Sequence, residues 1–131
     1  MVLVLALLLA LSSCGDSVSS YRAVGLVRMS TRHSCETSFY RLDGRLVFNL
    51  KKTDSNNEGN ISYSLQVEEG ELYLYYDYVD GVKEELSHVK GGESDIDAGG
   101  YIEGGKSVRI IIEANGAKNG KVSVELNAET N

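Results

Sequence analysis

From residue 46 onward the chain alternates between apolar and polar positions. Ile61, Tyr63, Leu65 and Val67 interleave with Ser62, Ser64, Gln66 and Glu68, the period of two that sends successive side chains to opposite faces of an extended backbone. The same period recurs in Leu46, Phe48 and Leu50; in Leu72, Leu74, Tyr76 and Tyr78; in Val108, Ile110, Ile112 and Ala114; and in Val122, Val124 and Leu126. Five half-buried strands are predicted. Partial alternation marks further candidates at 23–29, 34–41, 82–90 and 96–103, of which two or three are expected to form.

Gly, Asn and Asp punctuate these runs. Asp43-Gly44, Asp80-Gly81 and Asn119-Gly120 tolerate positive φ and are expected to close hairpins, with Glu69-Gly70 as another turn and a loop running from Asn115-Gly116 to Asn119-Gly120. Proline is absent from all 131 residues, so no turn is set by a fixed φ. Past residue 20 no segment carries a helical period. The prediction is an all-β domain, an antiparallel two-sheet sandwich of jelly-roll type with seven to nine short strands; a small closed or partly open barrel is the alternative.

The amino terminus departs from this pattern. Val2 to Leu11 is an unbroken apolar run, too short to cross a membrane, which takes about 20 such residues, but long enough for the core of an export signal. No Lys or Arg precedes it. The run ends in Leu11-Ser12-Ser13-Cys14, which resembles the lipobox of bacterial lipoproteins. That resemblance implies removal of residues 1–13, a diacylglyceryl group on the Cys14 thiol, and a chain anchored in the cell envelope facing away from the cytoplasm. Residues 14–20 are then a short polar tether, and 21–131 a single domain. Cleavage without lipid, giving a secreted protein, and a Cys14 to Cys35 bridge are the alternatives. With Cys14 acylated, Cys35 has no intramolecular partner and is expected to be a buried apolar residue.

Charge narrows the partners. Nineteen acidic residues against 13 basic ones leave a net charge of −6, with the basic residues dispersed among the acids. This disfavours nucleic acid, whose binding needs clustered Lys and Arg, and disfavours docking on anionic lipid by charge. Membrane contact is expected through Cys14 alone.

The stretch Leu72 to Tyr78 holds four of the eight tyrosines. Alternation turns Leu72, Leu74, Tyr76 and Tyr78 to the core, so Tyr73, Tyr75 and Asp77 share the outer face, the two rings about 7 Å apart along the strand. Such rings stack on the apolar face of a sugar while hydroxyls and a carboxylate accept and donate hydrogen bonds. The competing reading is cross-strand pairing on a wet sheet face. Elsewhere, Asp54 to Gly59 follows the opening of a calcium loop, but the position of its closing Glu is Leu65. Glu93, Asp95 and Asp97 are read as a solvated acidic loop, and Gly99 to Gly105 as a tight connection. His33 and His88 stand in no catalytic motif, and no metal site or cofactor is predicted.

Ser34 to Tyr40, then Asp43-Gly44, then alternating strands ending in Lys121 to Leu126, look like small bacterial lipoproteins with a β-sandwich domain, loosely similar to pre-peptidase C-terminal domains. The likeness implies an accessory, non-catalytic module that binds a glycan or a protein, with Tyr73, Tyr75 and Asp77 as the contact face. Two other classes stay open. One is a small surface enzyme or inhibitor built from loop residues such as His88, Asp95 and Asp97; the other is a structural component of the envelope.

Overall fold

A computed structural model describes residues 19–51, 58–79, 82–103 and 107–127. They form seven strands: β1 (Ser20–Val24), β2 (Val27–Ser30), β3 (Ser34–Lys51), β4 (Glu58–Val79), β5 (Val82–Lys90), β6 (Ile96–Glu103) and β7 (Ser107–Asn127). All pair antiparallel in one sheet, in the order β1-β3-β7-β4-β5, with β2 also on β3 and β6 also on β4. Every alternating segment of the sequence is a strand. The weaker candidates form as well, the first of them split by Gly25 and Leu26 into β1 and β2.

Three strands are too long for one layer of a small domain. β3, β4 and β7 have 18, 22 and 21 residues, and each bends near its middle, where the pairing with β7 shifts register at Leu42/Gly44 and at Glu69/Glu71. Fully extended, β3 would hold its ends about 56 Å apart. Instead the residues at its two ends touch: the Lys51 N–H donates to the Arg32 carbonyl at 2.8 Å, and His33 Nδ1 meets the Lys51 carbonyl at 2.6 Å. The sheet is folded over on itself, and its two halves are the layers of a β-sandwich. It does not close into a barrel, since β1 and β5 end the row.

The bends stand where hairpins were expected. Asp43-Gly44 lies inside β3, Glu69-Gly70 inside β4, and Asn115-Gly116 and Asn119-Gly120 inside β7; the loop expected from 115 to 120 is continuous strand. Positive φ at Gly44, Gly70, Gly116 and Asn119 kinks each chain without reversing it, because neighbouring kinks line up and satisfy one another. Asp43 Oδ1 accepts from the Gly116 N–H at 2.9 Å, and Glu68 Oε1 from Asn119 Nδ2 at 2.6 Å. Gly99 to Glu103, expected in a connection, belong to β6. Asp80 and Gly81 lie outside the described residues; the strands on either side pair with Val79 opposite Val82.

Each bend also resets which parity faces inward. In β3 the buried set passes from Cys35, Thr37 and Phe39 to Leu42, Leu46, Phe48 and Leu50; in β4 it passes from Ile61, Leu65 and Val67 to Leu72, Leu74 and Tyr76. The extra residue of a bulge flips the alternation, so both halves keep an apolar face toward one shared core. Further side-chain contacts cross between the layers. The Tyr63 hydroxyl donates to the Leu86 carbonyl at 3.2 Å, and Arg28 donates from Nη2 to the Val47 carbonyl at 3.2 Å with its guanidinium 4.7 Å from the Phe48 ring centre.

Candidate functional site

The outer face of the second layer is built by residues 71–79 of β4, flanked by β5 on one side and by residues 107–115 of β7 on the other. Antiparallel register sets its side chains in rows. Tyr73 stands between His88 and Glu113, Tyr75 between Glu85 and Ile111, and Asp77 between Lys83 and Arg109. Arg45, Val47 and Asn49 of β3 extend these rows by one strand.

The aromatic groups form one run. The Tyr73 and Tyr75 ring centres are 6.3 Å apart with planes 14° from parallel, and the His88 ring is 5.3 Å from Tyr73 at 27°. Lys83 lies over Tyr75, its Nζ 4.4 Å from the ring centre and 2.6 Å from Glu113 Oε2. Ile111 is only 2% exposed although it is on this face and outside the central core. Tyr75 and Val47 stand directly opposite it in register on either side, so three apolar or aromatic residues share one row of this face.

Carboxylates here lie beside basic side chains. Glu113 is shared by Lys83 and by Arg45 Nε at 3.7 Å; His88 meets Glu85 at 2.9 Å, and Lys90 meets Glu71 at 3.6 Å. The Tyr73 hydroxyl donates to Glu71 at 3.4 Å. Burial, followed by the carboxylates of Glu113 and Glu85 and the Tyr73 phenol, pushes the Tyr75 phenol above its ordinary pKa, because lost solvation and neighbouring negative charge both disfavour the phenolate.

Asp77 occupies the expected face but is not an open group. It is 6% exposed, and Arg109 Nη2 lies 3.2 Å from its Oδ2, while Oδ1 has no hydrogen-bond partner among the described residues. A buried carboxylate oxygen without a donor costs about 1–3 kcal/mol or more. Such an atom is an acceptor waiting for a donor from water or ligand.

The loop-built alternative is not assembled. His88 is paired across the strands with Tyr73, whereas Asp97 is paired with Ser64, on the far side of the β4 bend, and Asp95 is exposed in the connection before β6. Among the described residues no three His, Cys, Asp or Glu side chains are placed to hold a metal ion. Of the calcium-like stretch, 54–57 lie outside the described residues, Glu58 and Gly59 begin β4, and Leu65 is in the core. Cys35 is buried at 3% exposure, and its thiol is pushed up to about 12, chiefly by burial, against the opposing charge of Arg28. His33 spends its Nδ1 on the Lys51 carbonyl. Cys14 lies outside the described residues.

One feature escaped sequence reasoning. The outer face of the first layer carries a trough of about 650 Å³ whose lining includes Ser34, Ser62, Ser64 and Ser123 beside Met29, Tyr63 and Asp97. Ser62 and Ser64 were visible as the polar half of an alternating strand. That Ser34 and Ser123 come alongside them was not, because only pairing brings three distant strands into register.

No protein-family model matches the chain, and no curated protein matches it. Solved structures with a related course of the backbone include three of low identity. The enzymatically active domain of tailspike protein 4 from bacteriophage CBA120 is 7% identical with a TM-score of 0.49, over 84% of this chain and 19% of that one; this chain thus spans about a fifth of the tailspike chain. TmCBM61 in complex with β-1,4-galactotriose is 12% identical with a TM-score of 0.45, over 86% and 91% of the two chains. A carbohydrate-binding module from Cellvibrio mixtus lichenase 5A, in complex with cellotriose, is 12% identical with a TM-score of 0.46, over 88% and 95%.

Proposed function

We propose that this protein is a non-catalytic, glycan-binding β-sandwich module held at the outside of the cell by a lipid on Cys14. The observation that carries the binding reading is the near-parallel ring pair Tyr73–Tyr75, 6.3 Å between centres, set on a strand paired on both sides and continued by His88. Aromatic rings fixed on a sheet offer a large apolar surface with little side-chain entropy to lose, and the C–H face of a sugar ring packs on such a surface. Around the rings stand donors and acceptors that can turn to sugar hydroxyls: Glu71, Glu113 and His88. Asp77 adds the Oδ1 acceptor at the end of the row, reached directly or through a water.

A glycan array followed by calorimetry on the best ligand tests this reading. Wild type binds, and Tyr73→Ala/Tyr75→Ala loses about 1–3 kcal/mol, roughly tenfold or more in Kd, while keeping its fold by circular dichroism. Equal binding by the two proteins removes this face from consideration. The anchor is tested separately by intact mass of the membrane-extracted protein. A terminus at Cys14 carrying acyl chains supports it, and an unmodified later terminus makes the protein secreted. Two acyl chains suffice for stable attachment where a dispersed, acidic surface gives no electrostatic help.

A further inference from the structure

Exposed apolar side chains are not spread evenly over the sandwich. Of the six large ones among the described residues, Tyr21, Val24, Val27, Met29 and Tyr40 lie on β1, β2 and the part of β3 beside them; only Tyr101, on β6, lies elsewhere. Their place is one edge of the sheet, where β1 and β2 pair with β3 alone. Register puts four of them on one face. Val27 and Met29 pair with Ser38 and Glu36, which alternate with buried Cys35, Thr37 and Phe39, so both share the outer face of the first layer. At the corner between the strands a Cβ on Gly25 would stand 3.4 Å from the Tyr40 Cβ, and Val24 pairs with Arg41. Val24, Tyr40, Val27 and Met29 thus follow one another along the edge, each 52–56% exposed, while Leu26 packs against the core.

Charge along this edge differs from that of the chain as a whole. No Asp or Glu occurs between Asp16 and Glu36, in a sequence with 19 acidic residues, whereas Arg22, Arg28 and Arg32 fall in that interval. Arg28 is turned onto the Phe48 ring. Arg22 and Arg41 line a cavity of about 240 Å³ beside Val24, together with Lys118, which Glu69 meets at 3.5 Å. The carboxylates alongside are engaged, Glu36 by Lys121 at 2.9 Å and Asp43 by the Gly116 N–H at 2.9 Å.

A contiguous exposed apolar patch marks a surface with a partner. The partner that suits this one offers apolar depth beneath a layer of phosphates, and the chain itself leads there. On the reading of Cys14 as the lipidated residue, on which this inference rests, six residues carry the chain from the acyl group to Ser20, a reach of about 21 Å at full extension, and they enter the domain at β1. We propose that the β1–β2 edge rests on the lipid bilayer, with Val24, Val27, Met29 and Tyr40 entering the interface and Arg22 and Arg41 meeting lipid phosphates. A second copy of the chain fits less well, because two such edges would bring arginines together with no carboxylate from the interval between Asp16 and Glu36 to answer them. The acyl chains attach the protein, which at −6 gains nothing from its overall charge; the edge sets how the domain sits. Tyr73 and Tyr75 stand on β4, three strand spacings or about 14 Å from β1, on the outer face of the other layer, and are left turned away from the lipid.

The chain has no tryptophan, so a single introduced indole reports its own surroundings. Val27→Trp, Met29→Trp and, at the opposite edge of the layer, Tyr101→Trp are made one at a time in the full-length protein. Each is extracted from membranes and reconstituted into phosphatidylcholine vesicles with brominated acyl chains, with or without phosphatidylglycerol, and intact mass reports acylation of Cys14. The indoles at 27 and 29 are expected to emit blue-shifted light and to lose emission to bromine; the indole at 101 does neither. In vesicles containing phosphatidylglycerol, Arg22→Gln/Arg41→Gln lowers the ratio of docked to undocked domain roughly fivefold per arginine, the scale of one basic residue at an anionic surface. Acylated Cys14 without quenching at 27 and 29, or with equal quenching at all three positions, overturns the proposal and leaves the anchor standing. A blue shift that grows with protein density and is insensitive to bromine overturns it in favour of a second copy. A mass without acyl chains overturns the anchor and this inference together.

Discussion

Lys83 Nζ lies 2.6 Å from Glu113 Oε2, and to reach it from β5 the side chain crosses β4 and passes over the ring of Tyr75, 4.4 Å from its centre. The ion pair therefore covers the ring that the proposed sugar would use. Lys83 is 42% exposed and Glu113 29%, so water screens the pair and it is worth about 0–1 kcal/mol. A ligand stacking on Tyr75 displaces it at that cost. Lys83→Met removes the cost, and affinity for a neutral saccharide should rise by up to roughly fivefold with less dependence on salt. Weaker binding by the variant, measured by calorimetry, would make Lys83 a ligand contact and not a cover.

Asp77 and Arg109 form the most buried ion pair on this face, at 6% and 20% side-chain exposure. Removing one partner strands the other charge in a place where water cannot restore its solvation. Arg109→Met should lower unfolding free energy by about 3 kcal/mol, whereas Asp77→Asn, which keeps a hydrogen-bonding group of the same shape, should cost less. Urea denaturation of both variants measures the order. Equal losses would mean that the charge on Asp77 is not what Arg109 compensates.

Gly70 and Gly92 separate conformation from crowding. Both have positive φ, +85° and +90°, but a Cβ on Gly70 would fall 2.2 Å from the Gly116 carbonyl oxygen, while one on Gly92 would meet nothing within 4 Å. Gly92→Ala should cost only the backbone term, about 1–2 kcal/mol. Gly70→Ala adds a collision between two bends and should cost about 3 kcal/mol or more. If the two variants have the same urea midpoint, the bends of β4 and β7 are not as tightly apposed as their distances state.

Cys35 should be silent in the folded protein. Its thiol, pushed up to about 12 by burial, is protonated at any ordinary pH, so alkylation at pH 8 should proceed only as fast as the protein opens. The stability linkage has a definite sign. Below pH 9, the ordinary value for this thiol, both states hold the proton; between 9 and 12 the unfolded chain gives it up first, so stability falls as pH rises through that window. Cys35→Val lacks this term, and its urea midpoint should fall less steeply over the same range. Parallel slopes for the two proteins would rule the thiol out as the cause.

Much of the fold is written in the order of residues. The alternation at Leu46–Leu50, Ile61–Val67, Leu72–Tyr78, Val108–Ala114 and Val122–Leu126 identifies the buried face, and the core contains those side chains apart from Tyr63, which packs against it, and Tyr78, whose side chain lies outside the described residues. The tyrosine row was legible for the same reason, since parity alone puts Tyr73, Tyr75 and Asp77 on the face opposite Leu72 and Leu74. Asp77 shows the limit of parity. It states the side of a strand but not the depth, and depth here depends on Arg109, 32 positions away and adjacent only through β4–β7 pairing.

Sequence by itself determined that this chain makes strands, which residues enter the core, and that its turn chemistry rests on Gly, Asn and Asp. It could not say whether Asp43-Gly44, Glu69-Gly70 and Asn115-Gly116 reverse the chain or only kink it. A positive φ serves both outcomes locally, and the choice falls to whatever lies alongside. Here three kinks lie side by side and hydrogen-bond to one another, so each strand runs through both layers and the sheet folds as a unit. That folding carries the tyrosine face and the serine trough to opposite sides of the sandwich, a relationship that exists only between strands and so has no trace in any one of them.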